Sequence, residues 1–112
     1  MPQKHDYPAA RTYLELLLQP SEAKKIVNKL KSAEVQEFAA KDIFRAAQVP
    51  LLPLTDSDVK KDRQLIIKKT PLSPLLLYRD PTFRKLIIAD GYHRLCAVYS
   101  FDEQALIPCQ IV

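Results

Sequence analysis

The chain has 112 residues, 47% hydrophobic and 27% charged, which is enough for one globular domain and too little for two. One glycine stands against nine prolines, and there are no repeats or Ser/Gly/Gln tracts, which excludes a low-complexity or disordered protein. The net charge of +4 is concentrated between Asp56 and Arg94, where nine basic residues face five acidic ones, and a basic middle favours an anionic partner, nucleotide or nucleic acid.

In chain order, Tyr7-Pro8 is followed by Ala10, Tyr13, Leu14, Leu17 and Leu18 at spacings of three and four, the stripe of an amphipathic helix that Pro20 ends. Ser21 opens a second helix with Ala23, Ile26, Val27 and Leu30 on one face, so residues 1–34 are predicted to form a helical hairpin. Residues 35–112 then form the core of a single domain covering 1–112. That core starts with a short strand from Val35 to Ala39. A helix carrying Ala40, Ile43, Phe44 and Ala47 follows, broken at Val49-Pro50.

After the loop PLLPLTD, Thr55 or Asp56 caps a helix running to about Lys68. LSPLLLYR and RKLIIAD read as strands joined by a hairpin-like connection at Asp80-Pro81-Thr82-Phe83. Tyr92, Leu95, Cys96 and Tyr99 share a helical face from about 92 to 101, and residues 107–112 form a last strand. The order is that of an α+β domain built as one layer pair, with a small mixed sheet. The apolar runs at 75–77 and 86–89 are far below the ~20 residues of a membrane span. MPQKHDYPAARTY lacks the apolar stretch of a secretory signal. A cytoplasmic protein without a membrane partner is therefore expected.

The informative junction is the strand ending at Ala89, the turn Asp90-Gly91 and the helix that starts at Tyr92 with His93 and Arg94 in its first turn. The only glycine stands at a strand-to-helix elbow, where the backbone needs a positive φ or a close approach. A helix start offers unpaired N–H groups and partial positive charge, so it stabilises an anion, and an arginine can grip phosphate oxygens with two bonds. The alternative is structural: Asp90 caps the helix, Gly91 makes the turn and Arg94 lies on the surface.

The stretch Asp90-Gly91-Tyr92-His93-Arg94-Leu95-Cys96-Ala97, preceded by LIIA and followed by IPCQIV, resembles the signature of the ParB/sulfiredoxin-like superfamily. Gly91, Arg94 and Ala97 match the Gly-x-x-Arg-x-x-Ala element of ParB-type partition proteins. Gly91, His93 and Arg94 match the sulfiredoxin turn, and Asp90, Gly91 and Arg94 resemble the turn of free-serine kinases. With Thr70-Pro71-Leu72-Ser73-Pro74, the likeness covers roughly 55–112. As a whole the chain is similar to small stand-alone bacterial ParB-like proteins, through Asp6-Tyr7-Pro8, Pro50-Leu51-Leu52-Pro53 and the Gly91 turn.

The resemblance implies a nucleotide-binding domain, with an NTP hydrolase or phosphotransferase activity in view. Backbone N–H groups of Gly91, Tyr92 and His93 would cradle a phosphate, and Arg94 would neutralise it. Asp90 would hold Mg²⁺ or cap the helix. The nucleotide would be a purine or cytidine nucleotide such as ATP or CTP with Mg²⁺. The family places a nucleotide-contacting cation on the preceding helix, here Lys60 or Lys61. Glu37 is the carboxylate named as a catalytic base beside Asp90, since a hydroxyl nucleophile needs its proton removed.

Departures narrow this picture. Tyr92 stands where sulfiredoxins keep their attacking cysteine, so that activity is not expected. The second nucleotide motif and the DNA-reading helices of ParB partition proteins are not seen before Val112. The competing class is a non-enzymatic nucleic-acid or protein adaptor acting through the basic surface, although Lys68, Lys69, Arg79, Arg84 and Lys85 read first as solvated strand and loop positions. Tyr78, Phe83, Tyr92 and Tyr99 read as core before they read as base-stacking groups. Thiol chemistry at Cys96 forms a third class, against the simpler reading of Cys96 and Cys109 as buried small hydrophobes.

Overall fold

The structure is a computed structural model that describes residues 5–112; the first four positions of the N-terminal helical unit lie outside the described residues. In chain order the elements are α1 (Asp6–Leu14), α2 (Pro20–Ser32), β1 (Gln36–Ala39), α3 (Ala40–Ala47), α4 (Ser57–Ile67), β2 (Leu75–Asp80), β3 (Lys85–Asp90), α5 (Tyr92–Phe101) and β4 (Leu106–Ile111). Local chemistry explains their starts. Pro20 occupies the first turn of α2, where its missing N–H costs nothing. Asp56, not Thr55, caps α4, its carboxylate accepting from the N–H groups of Asp58 at 3.0 Å and Val59 at 3.1 Å.

The four strands form one mixed sheet in the order β1-β4-β2-β3. β2 and β3 make an antiparallel hairpin, β4 returns parallel to β2 by way of α5, and β1 adds antiparallel to β4. Successive side chains of a strand face opposite ways, and here both faces are buried. Leu76, Ile87 and Ala89 pack under α1 and α2, against Ala10, Leu14 and Ile26. Leu75, Leu77, Ile107 and Cys109 pack on the other face under α3 and α5. A third cluster of Val59, Cys96 and Ala97 seats α4 on α5.

The expected layer pair is thus corrected to helix, sheet, helix within an α+β domain. The physical signal was the unbroken run Leu75-Leu76-Leu77, fully buried, since a strand covered on both faces shows no alternation. The N-terminal hairpin forms one of the two covering layers. It is also tied by polar bonds: the Tyr7 hydroxyl donates to Gln110 Oε1 at 2.6 Å, and Gln110 Nε2 donates to the Ala33 carbonyl at 2.7 Å.

Two further expectations change. The first helix ends at Leu14 rather than Leu18, leaving Leu16 and Leu17 exposed. Gln19 must be extended before Pro20 (ψ 146°), so residues 15–18 are spent on a turn whose last N–H, that of Leu18, returns to the Leu14 carbonyl at 2.8 Å. Phe83 stands at the hairpin tip and is 74% exposed, not in the core. No described helix is long and apolar enough to cross a membrane.

Both cysteines are buried and unpaired. Burial raises the Cys96 thiol and pushes Cys109 up to about 12 from its ordinary 9.0. A buried thiol held protonated is a poor nucleophile, which removes the footing for redox chemistry at Cys96. Native protein at pH 8 is expected to show no rapid reaction with a disulfide reagent, and both thiols should react after unfolding; one fast native thiol would defeat this assignment. The sign with pH follows: the folded state holds the Cys109 proton more tightly than the unfolded chain. Its contribution to stability is complete below about 9 and is lost as pH climbs towards 12.

Candidate phosphate-binding site

β3 delivers its last residue, Asp90, to an elbow formed by Gly91, which has φ +105° and stands at the N-cap of α5. No side chain among the described residues caps this helix, so its first-turn N–H groups have no side-chain acceptor there and the positive end of the helix dipole is open to the cleft. The elbow, α4 and the start of α1 enclose a cleft of about 290 Å³. Asp58, Lys61 and Asp62 line it from α4, and His93 and Arg94 line it from α5.

Arg94 is neither a surface residue nor a free anion receptor. Its Nη2 donates to Asp90 Oδ2 at 2.6 Å, and its Nη1 lies 3.8 Å from Asp6 Oδ1 on α1. The side chain is only 16% exposed and Asp6 is 1% exposed. Its third donor nitrogen, Nε, is buried without a hydrogen-bond partner among the described residues. Gly91 makes this packing possible, because a Cβ there would collide with Leu75 Cδ2 and come within 2.8 Å of Arg94 Nη2. Asp90 is not the helix cap. Burial raises its carboxyl, and the Arg94 guanidinium pulls it back without cancelling that cost.

The other site residues separate in space. Lys61 lines the cleft, whereas Lys60, one position earlier on α4, is exposed and outside it. Tyr92 turns its ring away to pack near Val59 and Cys96, with its hydroxyl donating to the Pro50 carbonyl. His93 Nε2 lies 3.8 Å from Asp58 Oδ2 and 4.0 Å from Asp56 Oδ1. Glu37 is exposed on β1, at the opposite edge of the sheet from β3, so it is not brought to the elbow.

Asp58 and Asp62 are the residues that sequence reasoning passed over. Four apart on α4, with Lys61 between them, they share one helical face, and that spacing was the available signal. Burial raises the Asp62 carboxyl above its ordinary 3.8, opposed by the charges of Arg94 and His93. A raised carboxylate inside a cleft is a recognised mark of a functional group.

Three carboxylates, Asp58, Asp62 and Asp90, therefore face two permanent cations, Lys61 and Arg94. A bare polyphosphate would meet net repulsion here. A divalent cation changes that balance. Asp56, Asp58 and His93 bring one ligand atom each to within 4.8 Å of one another, a mixed oxygen and nitrogen set that suits Mn²⁺ or Zn²⁺, while Mg²⁺ would use the two carboxylates with water and leave the imidazole aside. Asp90, engaged by Arg94, fits a metal less well than these three. Comparison with protein-family models, curated proteins and solved structures finds no match to this chain.

Proposed function

We propose that the cleft between α4 and the Gly91 elbow binds the phosphates of a nucleotide as a complex with a divalent cation, the chain being a ParB/sulfiredoxin-like domain. The observation that carries this reading is the open N-terminus of α5 beside a buried arginine with an unused Nε donor. Asp56, Asp58 and His93 would hold the cation, which supplies charge neutralisation at the phosphate oxygens. Lys61 and the first-turn N–H groups of α5 hold the phosphate. Arg94, its fork facing Asp90 and Asp6, adds its positive charge at the cleft. Asp62 is the carboxylate positioned to accept a proton from water or a hydroxyl, which is where a hydrolase or phosphotransferase step would draw its base.

The test is a calorimetric titration with ATP, CTP, GTP and ADP, with and without Mg²⁺, on the wild type and on Lys61→Ala and Asp58→Ala. Lys61 and Asp58 are exposed, so neither change should threaten the fold. One nucleotide is expected to bind only with Mg²⁺ and to lose roughly tenfold or more in Lys61→Ala, the scale of one charged hydrogen bond. If a hydrolysis product forms, its rate should rise with pH as Asp62 loses its proton, with the limb displaced above 3.8. No binding by any nucleotide, or binding indifferent to both Mg²⁺ and Lys61, would overturn the proposal.

A further inference from the structure

A groove of about 600 Å³ lies away from the elbow, between α3 and the β2–β3 hairpin. Its volume is within the roughly 300–1,000 Å³ of small-molecule sites. The floor is Phe38, Ile43, Leu77, Leu86 and Ile111, mostly aliphatic. Arg45 stands on the α3 wall, and Arg79, Arg84 and Lys85 stand on the hairpin wall. None of these four cations has a carboxylate within 4.0 Å among the described residues. Asp42 and Asp80 also line the groove, but the Asp80 carboxylate accepts from the Thr82 N–H in the turn, and the rim keeps an excess of two positive charges.

The backbone adds an independent observation. Arg84 closes the hairpin connection with φ +53°, and Gln48, which also lines the groove, ends α3 with φ +56°. The left-handed region is the natural place for glycine in such a turn. The turn fixes the Arg84 backbone on the hairpin wall, beside Arg79 and Lys85.

We propose that this groove binds a small organic anion with an extended aliphatic body and a carboxylate or phosphate head, taken up as a free monomer. The aliphatic floor removes the chain from water, and the unpaired cations neutralise the head. The floor offers one half-buried aromatic ring, Phe38, so it lacks the stacking platform that single-stranded nucleic acid uses. Of the nine basic residues that the sequence concentrates between Asp56 and Arg94, three line this groove, Arg79, Arg84 and Lys85, against two at the elbow, Lys61 and Arg94.

The experiment titrates decanoate, dodecanoate, dodecyl phosphate and dodecanol below their aggregation limits, alongside anionic vesicles and a single-stranded oligonucleotide. The proteins are the wild type, Arg84→Gly and Arg79→Ala/Arg84→Gly. The anions are expected to bind, with about fourfold in affinity per added methylene, and dodecanol to bind at least tenfold more weakly than dodecanoate. The double variant should lose tenfold or more for the anions. Arg84→Gly should keep or raise the melting temperature, because glycine relieves the positive φ, so its weaker binding reports the lost charge and not a lost fold. Equal binding of alcohol and acid, indifference to the variants, binding of only vesicles or oligonucleotide, or no binding would each overturn the assignment.

Discussion

Replacing Arg94 by alanine lowers the stability of the folded chain by about 3–5 kcal/mol, the cost of breaking a buried ion pair by removing one partner. Asp90 loses the cation bonded to it at 2.6 Å, and Asp6, 1% exposed, loses a guanidinium at 3.8 Å while keeping its contact with His5 at 3.4 Å. Domains of this size have about 5–15 kcal/mol in total, so the variant is expected to be partly unfolded at 37 °C. Urea denaturation followed by circular dichroism measures the loss. Arg94→Met combined with Asp90→Asn should recover part of it, because the carboxyl group bonded to Arg94 is then replaced by a neutral amide. A loss under about 1 kcal/mol for Arg94→Ala would mean that the pair behaves like an exposed one. For the same reason Arg94→Ala is a poor probe of ligand binding, and Lys61→Ala is the cleaner one.

Gly91→Ala is the second severe substitution. Any side chain at φ +105° is strained, at about 1–3 kcal/mol, and the methyl would collide with Leu75 Cδ2 and crowd Arg94 Nη2 at 2.8 Å. Leu75 is fully buried between two layers, so it can move only by disturbing the sheet, which adds about 1–3 kcal/mol of overpacking strain. The expected sum is about 2–6 kcal/mol, read from the same urea transition. Asn tolerates positive φ better than Ala but brings the same Cβ. Gly91→Asn should therefore remain destabilised by the collision and by a reduced share of the strain, and stability equal to wild type would sink the packing argument.

Together these two expectations give the Gly-x-x-Arg spacing a structural cause. With Gly91 at the N-cap, Arg94 stands one turn into α5, where its guanidinium lies over the bare Cα of Gly91 and reaches back to Asp90, four residues earlier. The proposed anion site and the structural turn, alternatives on sequence grounds, would share one arrangement: the fork of Arg94 faces Asp90 and Asp6, which leaves the N-terminus of α5 for a ligand.

Local pattern made the elements legible. Apolar spacing located α2, α3 and α5, proline and the Asp56 cap set boundaries, and Asp90-Gly91 marked the elbow, because these signals act between residues within one or two turns of each other. Where local rules met a distant constraint they fell short. The α1 stripe ran on to Leu18 in sequence, but the extended residue before Pro20 took its last turn.

What belongs to the sequence by itself is the kind and order of the elements and the glycine on which the elbow turns. The tertiary structure alone decided which charges meet. Asp6 and Arg94 are 88 positions apart in the chain, and no periodicity links them; they face each other because α1 must cover the apolar face formed by Leu76, Ile87 and Ala89. The same packing sent Glu37 to the far edge of the sheet, turned Lys61 rather than Lys60 to the cleft, and set Arg79, Arg84 and Lys85 on a groove apart from the elbow. Hydrophobic burial is indifferent to which charges it brings along, so the electrostatics of a site follow from packing and are not written in the pattern that drives it.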